Sequence, residues 1–373
     1  MILTQCAVCA TELGLTSGKK CGRCSTRYCG AECQVQHWKE GGHDTLCKKI
    51  KKAGGAEQYN ANKKYAEAVA AAVEKCAEDT KGQTCFICTQ ALHWKTKEGL
   101  VRGCACRGTA GFAHVSCLAE QAKILREDAV ANNKDSQWHR WYKCGLCEQE
   151  YHGAVRCALG WACWKTYLGR AETDVARCCA MQQLGLGLFD AGHHADSLSV
   201  REAELSTLRR LGVSEESLLG AQGNLATTYQ EMGRLEQAQQ IFRDVFSGWL
   251  RLRGEEHRDT LLAANNYATS LGELKRFEES KTLLRKTMPV ARRVLGESHD
   301  LTLKMMMNYG GALLLDPGAT LDDLREVVTT FEDAGQIARR VLGSAHPTTR
   351  ALEGNLREAR ASLRARETPP GAA

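Results

Sequence analysis

The sequence predicts a mainly α-helical protein in which two small cysteine-rich domains precede a solenoid of helical repeats. Fifteen of the nineteen cysteines lie before residue 150, and fourteen of these join two histidines in two separate arrays. Beyond residue 150 the apolar residues follow helical periodicity, and asparagine and glycine markers recur at a nearly fixed interval. With 373 residues, the chain is long enough for two or three domains.

The first array contains eight candidate metal ligands in the first 47 residues. Cysteines separated by two residues bring two sulfurs to one ion, and tetrahedral zinc takes four ligands, so eight ligands make two sites. Cys29 and Cys33 are four residues apart, which suits one face of a short helix. In chain order the candidates are Cys6, Cys9, Cys21, Cys24, Cys29, Cys33, His43 and Cys47.

The spacing of these ligands, together with the segments Tyr28–Gln34 and His37–Lys39, resembles the MYND finger. The resemblance implies two interleaved sites, one formed by Cys6, Cys9, Cys29 and Cys33 and the other by Cys21, Cys24, His43 and Cys47. It leaves His37 outside both sites. MYND fingers dock short proline-containing peptides, which makes Gln34 and Trp38 candidate peptide contacts; packing alone is the alternative role for these two side chains.

The second array also contains seven cysteines and one histidine, which again make two zinc sites. Its members are Cys85, Cys88, Cys104, Cys106, His114, Cys117, Cys144 and Cys147. The single residue between Cys104 and Cys106, the histidine in fifth place and the nearby Gly108 resemble the RING-CH finger. A PHD finger has the same ligand order but normally separates its second cysteine pair by two residues or more, so the spacing favours RING-CH.

The RING-CH resemblance implies a cross-braced domain and ubiquitin ligation. One site then takes Cys85, Cys88, His114 and Cys117, and the other takes Cys104, Cys106, Cys144 and Cys147. Such a domain holds a ubiquitin-conjugating enzyme and orients its thioester-linked ubiquitin, so we expect no catalytic nucleophile in the chain. Ile87, between the first two ligands, is the candidate contact to that enzyme.

Two residues depart from the RING-CH pattern. Gln121 stands where the family commonly has tryptophan, and Glu148 follows the last ligand, where the family often has a basic residue. Trp138 and Trp141 are candidates for the missing aromatic role. The departures leave two alternatives open: a ubiquitin ligase, or a non-catalytic scaffold whose second finger is a RING-shaped interaction module.

The C-terminal part of the chain contains an internal repeat. Asn224, Asn266, Asn308 and Asn355 are separated by 42, 42 and 47 residues, and a second marker, at Gly254, Gly296 and Gly343, keeps the same phase. Such a period is typical of stacked helix pairs, none of which can bury its apolar face alone. The pattern resembles the long tetratricopeptide repeats (TPRs) of kinesin light chains, whose helix pairs form a superhelix with a peptide-binding groove.

The TPR resemblance makes Asn224, Asn266 and Asn308 candidate contacts to a peptide backbone, with structural bonds between helices as the alternative role. Histidines follow the marker glycines at a constant distance, and this regular phase favours a structural role in the turns. These histidines are His257, His299 and His346.

The predicted fold class is therefore mainly α, with two small cross-braced zinc-finger domains followed by an α-helical TPR solenoid. An alanine-rich segment between the two arrays predicts a connecting helix. The predicted boundaries are a MYND-type finger at residues 1–50, a helical linker at 51–80, a RING-CH-like finger at 81–152, the solenoid at 153–364 and a disordered tail at 365–373.

The formal net charge of +6 counts every cysteine as neutral. Fourteen thiolates on four zinc ions contribute about −6, which cancels this charge and argues against nonspecific nucleic-acid binding. No secretory signal and no membrane-spanning segment are expected, because no apolar run of the required kind is present. We expect four zinc ions per chain, a cytoplasmic or nuclear location, and protein partners that include short peptide motifs and a ubiquitin-conjugating enzyme.

Overall fold

The computed structural model describes residues 6–9, 11, 13, 18–134, 137–343 and 347–367. Over these ranges the fold is mainly α-helical, as predicted, and the chain divides into two compact units, Met1–Val213 and Ser214–Ala373. The first unit contains both cysteine-rich fingers, and the second contains the regular repeats. None of the helices in the described ranges combines the length and the hydropathy needed to cross a bilayer.

The first unit begins with a two-stranded antiparallel hairpin in which Lys19 pairs with Tyr28 and Lys20 with Arg27. Isolated bridges join Val101 to Ala113 and Lys143 to Glu150 in the second finger. The elements in chain order are β1 Lys19–Lys20, β2 Arg27–Tyr28, α1 Ala31–Lys39, α2 His43–Lys52, α3 Ala56–Cys76, α4 Val115–Ala131, a 3-10 helix Gln137–Trp141, α5 Gly153–Tyr167, α6 Val175–Asp190 and α7 His194–Leu211.

Helix α3 occupies most of the predicted linker and is attached to a finger at each end. At its start, the Ala56 amide donates to the carbonyl of Cys24 at 3.0 Å. At its end, the Cys76 thiol contacts the carbonyl of Arg102 at 3.7 Å, and Arg102 pairs with Asp79 just beyond the helix. The helix buries Ala61, Tyr65, Val69 and Ala72. It is therefore an integral part of the first unit's core.

The core of the first unit combines α3, the second finger, α5 and α6. Helix α5 is buried on nearly all sides, because its apolar residues, including Trp161 and Trp164, face neighbours in every direction. The same core includes Val200 and Ala203 of α7. The predicted solenoid at 153–364 thus spans the division after Val213, and its first three helices belong to the unit that contains the fingers.

The second unit consists of helices that each pack against the next in the chain. They are α8 Glu215–Glu231, α9 Leu235–Arg253, α10 Arg258–Glu273, α11 Phe277–Leu295, α12 Asp300–Leu314, α13 Leu321–Leu342 and α14 Pro347–Glu367. Helix α14 ends inside the predicted tail, so residues 365–367 are helical, whereas residues 368–373 lie outside the described ranges.

The repeat markers lie at the junctions between helices. Gly254 and Gly296 follow α9 and α11 with φ of +77° and +92°, a region that glycine enters at little cost. The imidazoles of His257 and His299 then accept hydrogen bonds from the amides of Asp259 and Leu301 in the first turns of α10 and α12. These two histidines are therefore N-caps. His346 lies outside the described residues.

Two adjacent glycines in α12 give a test of the packing. A Cβ on Gly310 would lie 2.5 Å from the ring of Phe331, which is fully buried, whereas a Cβ on Gly311 would meet nothing within 4 Å. We expect Gly310→Ala to lower the free energy of unfolding by about 1–3 kcal/mol through overpacking. Gly311→Ala should raise it by up to about 1 kcal/mol through helix propensity. Urea unfolding measures both; equal effects would contradict this packing.

Candidate metal centres and interaction surfaces

The first finger brings its eight candidate ligands together as two groups of four. Tetrad A comprises Cys6, Cys9, Cys29 and Cys33, and tetrad B comprises Cys21, Cys24, His43 and Cys47. In each tetrad the ligand atoms lie within 4.8 Å of one another. Cys21 and Cys24 lie in the turn between β1 and β2, Cys33 lies on α1, and α2 supplies His43 and Cys47. This is the interleaved grouping that the MYND resemblance implies.

The separations of the sulfurs fit zinc. In tetrad A, the Sγ atom of Cys29 lies 3.5 Å from those of Cys9 and Cys33. In tetrad B, Cys21 and Cys47 are 3.9 Å apart. Four sulfurs placed about 2.3 Å from a central zinc ion would lie about 3.8 Å from one another. The groups are therefore of the size and donor chemistry that hold a tetrahedral zinc ion.

The two tetrads of this finger differ in their exposure to solvent. All four residues of tetrad B are buried, and the Nε2 atom of His43 lies 3.4 Å from the Cys24 sulfur. In tetrad A, Cys9 and Cys29 are exposed. The hydroxyl of Thr11, 3.0 Å from the Cys9 sulfur, lowers the pKa of that thiol to about 6. Tetrad A is therefore the more accessible to solvent-borne chelators.

His37 lies outside both tetrads, as the MYND resemblance implies. Its Nδ1 atom is hydrogen-bonded to the hydroxyl of Tyr28 at 2.9 Å. The ring also packs against that of His43, with centroids 4.8 Å apart. It thus supports a ligand without being one.

The second finger forms tetrad C from Cys85, Cys88, His114 and Cys117, and tetrad D from Cys104, Cys106, Cys144 and Cys147. The two groups alternate along the chain, as expected for a cross-braced domain. Each ion therefore ties together segments that are distant in sequence. The Cys106 and Cys144 sulfurs, 3.8 Å apart, again match the edge of a zinc tetrahedron.

The ring of His114 is oriented for metal binding. Its Nδ1 atom lies 3.4 Å from the Cys88 sulfur and 3.6 Å from the Cys117 sulfur. On the other side of the ring, Nε2–H donates to the carbonyl of Ala91 at 3.3 Å. A proton held on Nε2 leaves the lone pair of Nδ1 for the ion. Sequence reasoning identified the histidine but not this carbonyl.

The two cysteine turns that open and close the second finger have the same local geometry. The amide of Ile87 donates to the Cys85 sulfur at 3.4 Å, and the amide of Leu146 donates to the Cys144 sulfur at the same distance. Such bonds stabilise a thiolate. They also place one apolar residue in each turn: Ile87 is partly buried, whereas the side chain of Leu146 is about half exposed.

Tetrad D also depends on a glycine that sequence reasoning missed. Gly111 has φ of +85°, and a Cβ there would lie 2.6 Å from the Cβ of Cys106 and 3.0 Å from its sulfur. By contrast, Gly108, which the RING-CH resemblance singled out, has nothing within 4 Å of the equivalent position. Of these two glycines, only Gly111 brings the backbone against the metal site.

The candidate peptide contacts of the first finger lie on α1. Gln34 is partly buried and Trp38 is about half exposed, one helical turn further along. The indole also packs near the ring of His43, with centroids 5.8 Å apart. This face therefore presents an aromatic surface supported by a residue of tetrad B.

The three marker asparagines of the repeats are not equivalent. Asn308 donates from its side-chain amide to Asn265 at 2.9 Å and to Thr269 at 2.8 Å, so it links α12 to α10. Asn266 accepts a bond from its neighbour Asn265, whereas Asn224 is partly buried in α8. Asn308 thus makes a structural bond between helices, and peptide contact stays a prediction for Asn224, Asn266 and Asn308.

Comparison with known proteins identifies two parts of the chain. The MYND finger model matches residues 6–47, and a tetratricopeptide repeat model matches residues 217–292. No curated protein matches the chain significantly.

Among solved structures, nearly identical TPR-like repeats of the kinesin light chain type from Podosopora anserina are 14% identical, with 61% of this chain and 96% of that chain covered and a TM-score of 0.41. BtubC (BKLC) from P. vanneervenii is 15% identical, with 69% and 94% covered and a TM-score of 0.35. The chain thus carries a MYND finger and tetratricopeptide repeats, and it is a zinc-binding, modular protein-interaction protein.

Proposed function

We propose that this protein is a ubiquitin ligase whose second finger docks a ubiquitin-conjugating enzyme while the MYND finger and the repeats hold substrates. The observation that carries the proposal is the pair of matched cysteine turns in a cross-braced finger. Each turn fixes an apolar residue, Ile87 or Leu146, beside a zinc tetrad. Apolar side chains held rigidly on a small domain are suited to recognising a folded partner.

Further exposed apolar side chains on the same finger support a docking role. Leu92 and Trp94, in the segment that follows the first cysteine turn, are 59% and 69% exposed. A tryptophan this exposed contributes little to the folded core, and exposed apolar surface commonly marks a binding site. The finger is thus apolar in places that its own stability does not require.

The carboxylate of Glu148 has a cationic partner. The guanidinium of Arg140 lies 2.9 Å from it, so the position after the last ligand carries an ion pair. We propose that Arg140 supplies the positive charge that a RING-CH finger usually has at this position. Glu148 therefore counts less heavily against ligase activity than its sequence position suggests.

A specific observation favours a second candidate, an adaptor that docks partners without catalysis. Trp141, which we predicted as a replacement for the aromatic residue missing at Gln121, is 1% exposed and packs against Tyr167 in the core. Trp138 is partly buried beside the same tyrosine and beside Arg126. Trp141 therefore cannot offer an aromatic surface to a conjugating enzyme.

An autoubiquitination assay distinguishes the two candidates. With zinc-loaded protein and a panel of conjugating enzymes, we expect ubiquitin chains whose rate falls at least about tenfold in Ile87→Ala, because a central apolar contact is lost. Val130→Ala, an exposed residue near the end of α4, is the matched control and should leave the rate unchanged. Absence of chains with every enzyme, from protein that retains its zinc, would favour the adaptor.

We also propose that the protein works in the cytoplasm or the nucleus. Zinc thiolate sites persist where cysteines are kept reduced. The two exposed cysteines of tetrad A would be oxidised in an oxidising compartment. Imaging of a tagged chain tests this proposal, and a signal confined to a secretory compartment would contradict it.

A further inference from the structure

The corner between α2 and α3 contains an open cavity of about 450 Å³ that we call the basic basin. Its lining residues are Lys49, Lys52, Ala53, Tyr59, Asn62 and Lys63. Three of the six are lysines, two more carry polar groups that can donate hydrogen bonds, and none is acidic. The basin lies on α2 and α3, whereas the predicted peptide contacts of the MYND finger lie on α1.

Tetrad B holds both walls of the basic basin in place. Helix α2 contributes the ligands His43 and Cys47 from one face and buries Ile50, while Lys49 and Lys52 project from its exposed face. Helix α3 is anchored at its first residue to the carbonyl of Cys24, another member of the tetrad. The basin is therefore preformed in the zinc-loaded finger, and a ligand would not have to order it on binding.

The side-chain amide of Asn62 is available as a donor in the basic basin. Gln58 donates to Oδ1 of Asn62 at 3.2 Å, which leaves the Nδ2 hydrogens of Asn62 free to donate outward. Among the residues that the structure describes, Lys49 and Lys52 form no ion pair. The contact between Lys63 and Glu67 is long, at 3.9 Å, and both side chains are exposed, so it competes weakly with another anion.

Complementarity to the helix dipole does not account for this arrangement. Basic residues in the last turn of α2 are stabilised by the helix C-terminus, and that explanation applies equally to Lys49, Lys51 and Lys52. It does not explain why Tyr59, Asn62 and Lys63 of another helix face the same cavity. The convergence of donors from two helices points to an anionic ligand.

We propose that the basic basin binds an acidic segment of a partner protein, rich in aspartate and glutamate. A nucleic acid would need a continuous basic track and aromatic platforms. Here Glu67 interrupts the positive surface next to Lys63 and Lys64, and the one aromatic residue, Tyr59, packs against the core of the finger. A short acidic peptide needs only the local cluster of donors. This site is independent of the ligase proposal.

The four lysines of α2 provide matched variants for the test. Lys48, Lys49, Lys51 and Lys52 are all exposed, but only Lys49 and Lys52 line the basin. Fluorescence anisotropy with a labelled oligoglutamate peptide and zinc-loaded full-length protein measures binding. We expect Lys49→Glu/Lys52→Glu to weaken binding at least about tenfold, because like charges then oppose the peptide. Lys48→Glu/Lys51→Glu makes the same change in net charge and should weaken it by no more than about twofold.

Two further comparisons complete the test. Tyr59→Phe should weaken binding by a few-fold without disturbing the core, because only the hydroxyl is removed. Equal losses in the two lysine pairs, in variants that retain four zinc ions, would overturn the proposal in favour of diffuse attraction. Tighter binding of a labelled oligothymidylate than of oligoglutamate would overturn the proposal in favour of a nucleic-acid ligand. Absence of oligoglutamate binding to the wild type would show that the basic basin does not bind acidic segments.

Discussion

Removal of zinc is expected to unfold both fingers while leaving the second unit helical. Structural zinc sites of this kind contribute an apparent affinity of about 10–16 kcal/mol each to folding, and the first finger has only a small apolar core of its own. All sixteen ligands precede residue 150, so Ser214–Ala373 contains none of them. A strong chelator should therefore make residues 6–152 sensitive to trypsin, while circular dichroism retains the helical signal of the second unit.

The release of zinc should also proceed in stages. Tetrad A exposes Cys9 and Cys29, whereas tetrad B is buried at all four positions, so we expect tetrad A to lose its ion first. A chromophoric chelator would then measure the release of one zinc ion per chain in a fast phase, followed by slower release of the others. Elemental analysis near two zinc ions per chain before treatment, or a first unit that stays protease-resistant without metal, would contradict this picture.

Substitution of Gly111 is expected to have a large effect on tetrad D, because this glycine lies directly against two of its ligands. The position has a left-handed φ of +85°, which costs an alanine roughly 1–2 kcal/mol. In addition, the new methyl group would lie 2.6 Å from the Cβ of Cys106 and 3.3 Å from the Cys104 sulfur. Gly111→Ala should therefore displace two ligands and lower the affinity of tetrad D for zinc at least about tenfold.

The matched control for this substitution is Gly108→Ala. Gly108 also has a positive φ, +60°, but its Cβ position is open, so the control carries the backbone strain without the clash. It should lose roughly 1–2 kcal/mol of stability and keep four zinc ions. Competition with a chelator measures the difference, and the same zinc affinity in both variants would show that the packing around Gly111 is not as described.

The metal sites were predictable because cysteine spacing is a local property. Zinc needs four ligands at fixed distances, and a pair such as Cys85 and Cys88 supplies two of them within one turn of chain. The partners of those ligands were not predictable: the carbonyl of Ala91 and the backbone at Gly111 reach their sites only through the folding of loops. The periodic markers of the repeats likewise predicted stacked helices but not which side chains lie between them.

The roles of single side chains depended on neighbours that the sequence does not place. Asn266 and Asn308 occupy equivalent positions in the repeat, but Asn308 meets the side chains of Asn265 and Thr269 on α10, whereas the position in α8 equivalent to Asn265 is Gly223. Trp141 looked available in sequence because it stands in a polar segment, but the core of the first unit covers it. The division after Val213 likewise depends on packing, since α5 to α7 have helical periodicity but share their core with the second finger.

Helix α3 fixes the distance between the two fingers. Its 21 residues extend for about 30 Å between an end held by the MYND finger and an end held by the second finger. If the fingers bind partners as proposed, a partner captured by one finger is confined near the other, and a rigid spacer instead of a flexible tether sets its effective concentration there. Two weak contacts on one partner can then act as a single strong one, but only for partners whose own sites match that span.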